Sequence, residues 1–435
     1  MQKFDLKKDK LISKLISGSF VSISFKVFSG LAMYVLSILV VREIGSEQSG
    51  IFFYGFSFVI ILSALSRFGF DHLLLREISK SKAVSDFETI KHISFFSVFF
   101  SLIFCLIITL LIFIIFNIFP ELAKLTQTTS TLKVMLLSLS FVTLTHIFRL
   151  CLQGLSKISF SLILENTLYG STMILFLIIF NIVDALMLSY YYLIANIICT
   201  ISGMILWIKC LDNISMDFQK ILKKSKLLKD SFFYWISVNS DTLIQCFSII
   251  TLGFYGFFKE ASYFLIAQQT SMLASFIYLA SDKIFAPQVS ELFKLNKESE
   301  AKRLIIFSTR MMAFLSTPIL IFVVVFSSNI LSFIGNDYEV ARFCLIFLTF
   351  AQFSRVVFGN SYSTLAMKGL ERLVSKISII SVIFCITMNI TLINLVGLDG
   401  AALASGLTII LFNFLCFINV KRHLGFYPFF ATKYY

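Results

Sequence analysis

Four basic residues, Lys26, Arg67, Arg149 and Arg355, sit inside or at the ends of long apolar runs. A charge in such a place is costly and is kept for pairing or for a ligand. All four can donate to an anion, and arginine does so with a planar fork of N–H groups that matches phosphate. The acids in or beside the same runs are Asp71, Glu165 and Asp241. Arg67 and Asp71 are four residues apart, and that spacing favours a local ion pair on one helix face. Arg149 and Glu165 fall at comparable depth in consecutive runs, and a bridge between neighbouring helices is favoured over direct substrate contact. Lys26 lies near the middle of the first run and Asp241 at similar depth in the seventh. Two readings stay open for them. They form an ion pair tying the chain's halves together, or they line a wet cavity in which Lys26 meets an anion and Asp241 pairs or binds a proton. Arg355 shares a face with Gln352, Gly359 and Tyr362 and has no acid in its own run, which points it toward an anionic ligand. Gln268 and Tyr278, on one face with Ser271, Ser275 and Asp282, suit sugar hydroxyls, although helix–helix hydrogen bonding is the commoner use of such residues.

Other chemistry lacks residues to carry it. The four histidines (72, 92, 146, 423) are scattered, the eight cysteines have no metal-ligand or disulfide spacing, and no phosphate-binding glycine loop or nucleophile motif stands out. No metal, no cofactor and no enzymatic activity are expected.

The elements that must position these charges are membrane spans. The chain of 435 residues is 58% hydrophobic, and a span needs about 20 mostly apolar residues. Twelve runs qualify: 15–39, 50–68, 93–116, 132–152, 158–180, 186–208, 232–252, 261–281, 311–333, 340–364, 373–396 and 401–420. Of the 37 Lys and Arg, 28 fall at the termini or in every second link, which places both termini in the cytoplasm. The net charge of +13 is explained by that orientation and by anionic headgroups, and nucleic-acid binding is not expected. The apolar run near the N-terminus is too long for a cleaved signal and carries Lys26, so it reads as a retained span.

Six lysines in the link 209–231 separate six runs from six, predicting an N-terminal lobe over 1–208, a basic cytoplasmic linker over 209–231 and a C-terminal lobe over 232–435. The segments Gly45–Phe52 and Gly256–Tyr263 place a glycine, a small residue and an aromatic at the same offsets, the mark of a parallel internal repeat. The link Asp282–Arg310 is either a surface-lying helix or a plain connection. The opposite links are short and offer no catalytic loop, which argues against a glycan polymerase or ligase. The fold class expected is an all-α membrane protein with twelve transmembrane helices in two six-helix lobes around a central cavity.

The run Arg42-Glu43-Ile44-Gly45, then Gly50-Ile51-Phe52, Phe68-Gly69-Phe70-Asp71 and Arg76-Glu77-Ile78, resembles the opening of Wzx-type polysaccharide flippases, a family related to MATE multidrug exporters and the lipid II flippase. The resemblance extends over the whole chain in span number, inner termini and basic central link. It implies a bacterial inner-membrane protein that works by alternating access. Its substrate would be an undecaprenyl-pyrophosphate-linked oligosaccharide repeat unit for O-antigen, capsule or a related polysaccharide. Lys26, Arg67, Arg149 and Arg355 would hold the pyrophosphate, Gln268 and Tyr278 the sugars, and Asp241, Glu165 and Asp71 would pair charges or couple transport. The expected partners are the lipid-linked oligosaccharide and membrane lipids, with a polysaccharide polymerase and chain-length machinery as further candidates. Proton coupling at Asp241, Glu165 or His146, sodium coupling and downhill flipping all stay open. The alternative is a cation-coupled multidrug exporter of the MATE type, which needs an acidic cavity.

Overall fold

The computed structural model describes residues 6–67, 69–84, 86–118, 126–210 and 226–429, nearly all of them helical. Helix α1 (Leu6–Ser66) is two arms joined at Gly45, whose φ of 76° is open to glycine at no steric cost. Helix α2 (Phe70–Ala83) buries Phe70, Leu74 and Ile78, one every turn, and carries Lys80 and Lys82 in its last turn. Helix α3 (Phe87–Ile118) is charged in its first two turns and apolar beyond them, and it faces outward along most of its length, with Leu106, Leu110, Ile114 and Ile118 exposed. Helices α4 (Thr126–Leu137) and α5 (Leu139–Gly154) nearly join at Ser138. Helices α6 (Ile158–Leu162) and α7 (Leu168–Ile179) are joined by a widened π turn over Ile163–Thr167. Helix α8 (Ala185–Lys209) starts at Asp184, whose carboxylate accepts from the Met187 amide at 2.7 Å.

The second half repeats this style. It contains α9 (Lys226–Phe254), α10 (Phe258–Ser271), α11 (Phe276–Lys294), α12 (Glu298–Val325), α13 (Ser327–Ile334), α14 (Arg342–Val357), α15 (Ser361–Met367) and α16 (Glu371–Leu424). Helix α16 again holds two arms, joined at Gly397. Among the described residues, eight helical segments are long and apolar enough to cross a membrane, and those in α1 and α16 each include such a junction. The runs 232–252 and 261–281 lie on α9 and on α10–α11. The link expected over Asp282–Arg310 is absorbed by its neighbours: α11 runs on to Lys294 and α12 starts at Glu298, so no separate surface helix forms there. Of the linker expected over 209–231, residues 211–225 lie outside the described residues.

The apolar core is distributed unevenly. One cluster runs through both halves, from Leu36, Phe52 and Leu188 to Phe264, Leu348 and Ala401. The others are confined to one half each, such as that around Phe70, Ile147 and Trp207 or that around Val289, Leu365 and Val420. The shared cluster lies toward the end that carries Gly45, Gly256 and Gly397. There the two segments matched as repeats meet each other. Gly45 and Gly256 both have positive φ (76° and 82°). Ser49 and Ser262 are hydrogen-bonded at 2.8 Å, and Ser262 reaches the Tyr338 hydroxyl at 2.6 Å. A Cβ on Gly50 would lie 1.7 Å from the Phe258 carbonyl oxygen, so only glycine permits the approach. Arg42 donates to the Phe333 carbonyl and lies 4.7 Å from the centre of its ring. Glu47 and Lys259 pair loosely at 3.9 Å. At the opposite, basic end the halves keep separate cores, and α2 packs against both α5 and α9.

Candidate functional site

Between the shared cluster and the basic end lies a cavity of about 350 Å³. Its walls come from α1, α5, the π turn, α7 and α8, with Thr242 of α9 as the contribution of the second half. The ionisable lining residues are Arg67, His146, Arg149 and Glu165.

Arg67 follows the last turn of α1 and is held tightly. Its Nε donates to both oxygens of Asp71, at 2.9 and 3.2 Å, and its Nη1 donates to Ser63 Oγ at 2.8 Å. Ser63 also accepts from Thr143 of α5 at 3.0 Å. Both charges of the pair are 7% exposed. Asp71 stands behind Arg67, outside the cavity lining, and its Oδ1 is 3.7 Å from His146 Nε2.

Arg149 lies on α5 one turn beyond His146 and is held loosely. Its Nη1 reaches Glu165 Oε1 at 3.4 Å, its Nη2 is 3.1 Å from His146 Nε2, and its buried Nε has no hydrogen-bond partner. Glu165 belongs to the π turn. An α-helix sends consecutive residues about 100° apart, whereas the extra residue in a π turn lets Glu165 and Asn166 both line the cavity. The site therefore holds two guanidiniums and two carboxylates joined through one imidazole, with Thr145, Asn166, Tyr169, Tyr192 and Asn196 as neutral polar lining. Such a lining can donate to an anion and to hydroxyl groups.

Asp241 and Arg355, also expected at the site, lie elsewhere. Asp241 of α9 pairs with Arg355 of α14 and accepts from Gln245 Nε2 at 2.8 Å. Arg355 has no acid in its own run, and its acid comes from another helix. Neither residue lines the cavity. The described part of Lys26 is its backbone in α1, and its side chain lies outside the described residues. Gln268 is buried and donates to the Gln245 carbonyl across two helices at 3.1 Å. Tyr278 is buried in an apolar cluster with Met312, Ala313 and Val356. These two side chains are used inside the helix packing and do not line the cavity. Conversely, Asn166 and Asn196 face the cavity without having been singled out. For Asn196 a signal existed, an amide in an otherwise apolar run one turn before Thr200. For Asn166 the π turn removes the periodicity that would have placed it.

The family described as polysaccharide biosynthesis protein matches residues 15–293. The probable low-salt glycan biosynthesis flippase Agl15 of Haloferax volcanii is 29% identical over 143 residues. That alignment covers 32% of this chain and 29% of the relative's length. Among solved structures, an inward-facing MATE-family multidrug resistance transporter of the MOP superfamily has a TM-score of 0.72 at 14% identity, covering 94% of this chain and 98% of that one. The lipid II flippase MurJ in an inward closed conformation also has a TM-score of 0.72, at 16% identity, with 92% and 87% covered. At these identities the likeness establishes a common fold.

Proposed function

The chain belongs to the polysaccharide biosynthesis protein family, is a multi-pass membrane protein, and from that premise we propose that it flips a polyprenyl-pyrophosphate-linked oligosaccharide across the membrane. The observation that carries this reading is the cavity with Arg67 and Arg149 on its wall, built by the first half and touched by Thr242 of the second. A pyrophosphate cannot enter hydrocarbon unaided and needs N–H donors in a wet, enclosed place. The neutral polar lining suits the sugars next to it, and the polyprenyl tail stays in lipid.

The two halves act as lobes, 1–208 and 232–435, joined by the basic linker 209–231. The positive-inside rule puts the basic end, and both termini, in the cytoplasm. In this arrangement the glycine end is the outer seal, closed by Gly50 against Phe258 and by Ser49, Ser262 and Tyr338. The substrate enters from the cytoplasmic leaflet, and the lobes rock about the site to release it outside. Twelve spans, with α1 and α16 counted as two each, complete the arrangement. Transport of this kind needs no covalent step. A cation-exporting reading draws no support from the cavity, where the one lining carboxylate, Glu165, faces two guanidiniums.

The test is the sidedness of the lipid-linked oligosaccharide in a strain lacking this gene and any redundant flippase. Accumulation in the inner leaflet with loss of surface glycan, reversed by the intact gene, is expected. Normal surface glycan and unchanged sidedness would sink the proposal.

A further inference from the structure

The two cavity arginines differ in how well their donors are used. Arg67 makes three close hydrogen bonds to two fixed partners that it shares with its own and a neighbouring helix. Arg149 has one ionic contact at 3.4 Å, one shared contact with an imidazole, and one buried N–H with no acceptor. A guanidinium offers five donors, and a buried unpaired donor is unfavourable. The present partners of Arg149 therefore hold it poorly, and a better acceptor can displace them.

The acid opposite Arg149 is placed by an irregular element. Glu165 sits in the π turn, the one described π segment of the chain, where its carboxylate is brought to the cavity beside Asn166. It is partly open, unlike Asp71, which is buried behind Arg67. A carboxylate and a phosphate oxygen compete for the same guanidinium donors, and the phosphate brings more charge and more acceptors.

We propose that Glu165 is a resident counter-ion on Arg149, which an entering phosphate group displaces and which, on returning, helps to expel that group. The inference rests on the cavity being the substrate site and adds an exchange step to it. Without an anion, Glu165 prevents Arg149 from standing as an isolated charge. With an anion bound, Arg149 turns to it and Glu165 is released toward Asn166 and the cavity. Return of Glu165 to Arg149 lowers the affinity of the site when the substrate must leave. The role assigned to Glu165 is thus one of positioning and release, distinct from that of Arg67 and Asp71, which hold shape.

The test uses the full chain in lipid nanodiscs, titrated with inorganic pyrophosphate, together with flipping of a lipid-linked pyrophosphate saccharide in proteoliposomes. Glu165→Gln keeps size and removes the charge. It is expected to bind pyrophosphate about tenfold more tightly and to flip more slowly at saturating substrate, because release is delayed. Glu165→Asp, with a shorter reach, should fall between Gln and the wild type. Arg149→Gln should lose binding, and adding Glu165→Gln to it should change nothing further. The idea fails if Glu165→Gln, at unchanged melting temperature, binds pyrophosphate no better than the wild type, or if neither protein binds it. It fails equally if Glu165→Gln tightens binding to the same degree when Arg149 is already Gln. Tighter binding by Glu165→Gln in a protein whose wild type flips no lipid-linked saccharide would uphold the exchange and overturn the proposed substrate instead.

Discussion

The ion pair at the end of α1 and the one joining α9 to α14 are built from the same kinds of residue and behave as opposites. Arg67 and Asp71 are four residues apart, both 7% exposed, and locked by Ser63. Asp241 and Arg355 are 114 residues apart, and the aspartate side chain is 52% exposed. A buried pair that loses one partner leaves a charge stranded, whereas a pair open on one side keeps an alternative partner in solvent. The first pair therefore serves the shape of the first half, and the second is open on its aspartate side. Burial and not residue type separates a structural charge from an exchangeable one.

The largest effect is expected from Asp71→Asn, which should lower stability by roughly 3–5 kcal/mol because Arg67 is left buried and unpaired. Thermal unfolding of the purified protein in detergent reads this directly. Replacing both members, Arg67→Met with Asp71→Leu, should recover much of that loss, since an apolar pair of similar volume removes the stranded charge. If the double variant is as unstable as Asp71→Asn, the pair is not simply a shape-holding element. Next in size is Gly50→Ala, which forces the α1 and α10 backbones apart at the shared core and should cost about 1–3 kcal/mol. Cysteine cross-linking yield between positions 47 and 259, before and after the change, would show whether the glycine end has loosened. Arg355→Gln should cost no more than about 1 kcal/mol, because the Asp241 carboxylate it leaves behind is half exposed. A loss as large as that of Asp71→Asn would erase the contrast between the two pairs. The smallest effect belongs to Lys259→Gln: the Glu47–Lys259 pair is exposed on both sides, and the melting temperature should stay within a degree or so.

What could be read from the sequence follows the range of each interaction. Arg67–Asp71 was legible because both partners lie on one turn. Arg149–Glu165 was legible because neighbouring spans at equal depth must touch. Arg355–Asp241 was not, since nothing along the chain tells which helix of the second half α14 will face. Gln268 and Tyr278 mark the limit of polarity as a guide. A polar stripe inside a membrane satisfies either a neighbouring helix or a cavity, and side-chain type does not distinguish the two. The glycines at 45 and 256, matched along the chain, both take a positive φ, and the segments that follow them meet through Ser49 and Ser262. The apolar runs marked where long helices fall, but they could not anticipate that α11 would continue to Lys294.

Helix α3 carries a consequence for the lipid around the protein. Its apolar run over 93–116 is about 36 Å long, against a hydrocarbon core of ~30 Å. A helix with such a mismatch tilts, or carries its ends past the acyl chains, and its angle changes with the thickness of the bilayer. It packs on α5, the helix that carries His146 and Arg149. A change in that tilt acts on the helix that walls the cavity. The proposed flipping, measured in vesicles of graded thickness, should run fastest where α3 lies at its preferred tilt and fall in a membrane too thick or too thin, without a change in any charged residue.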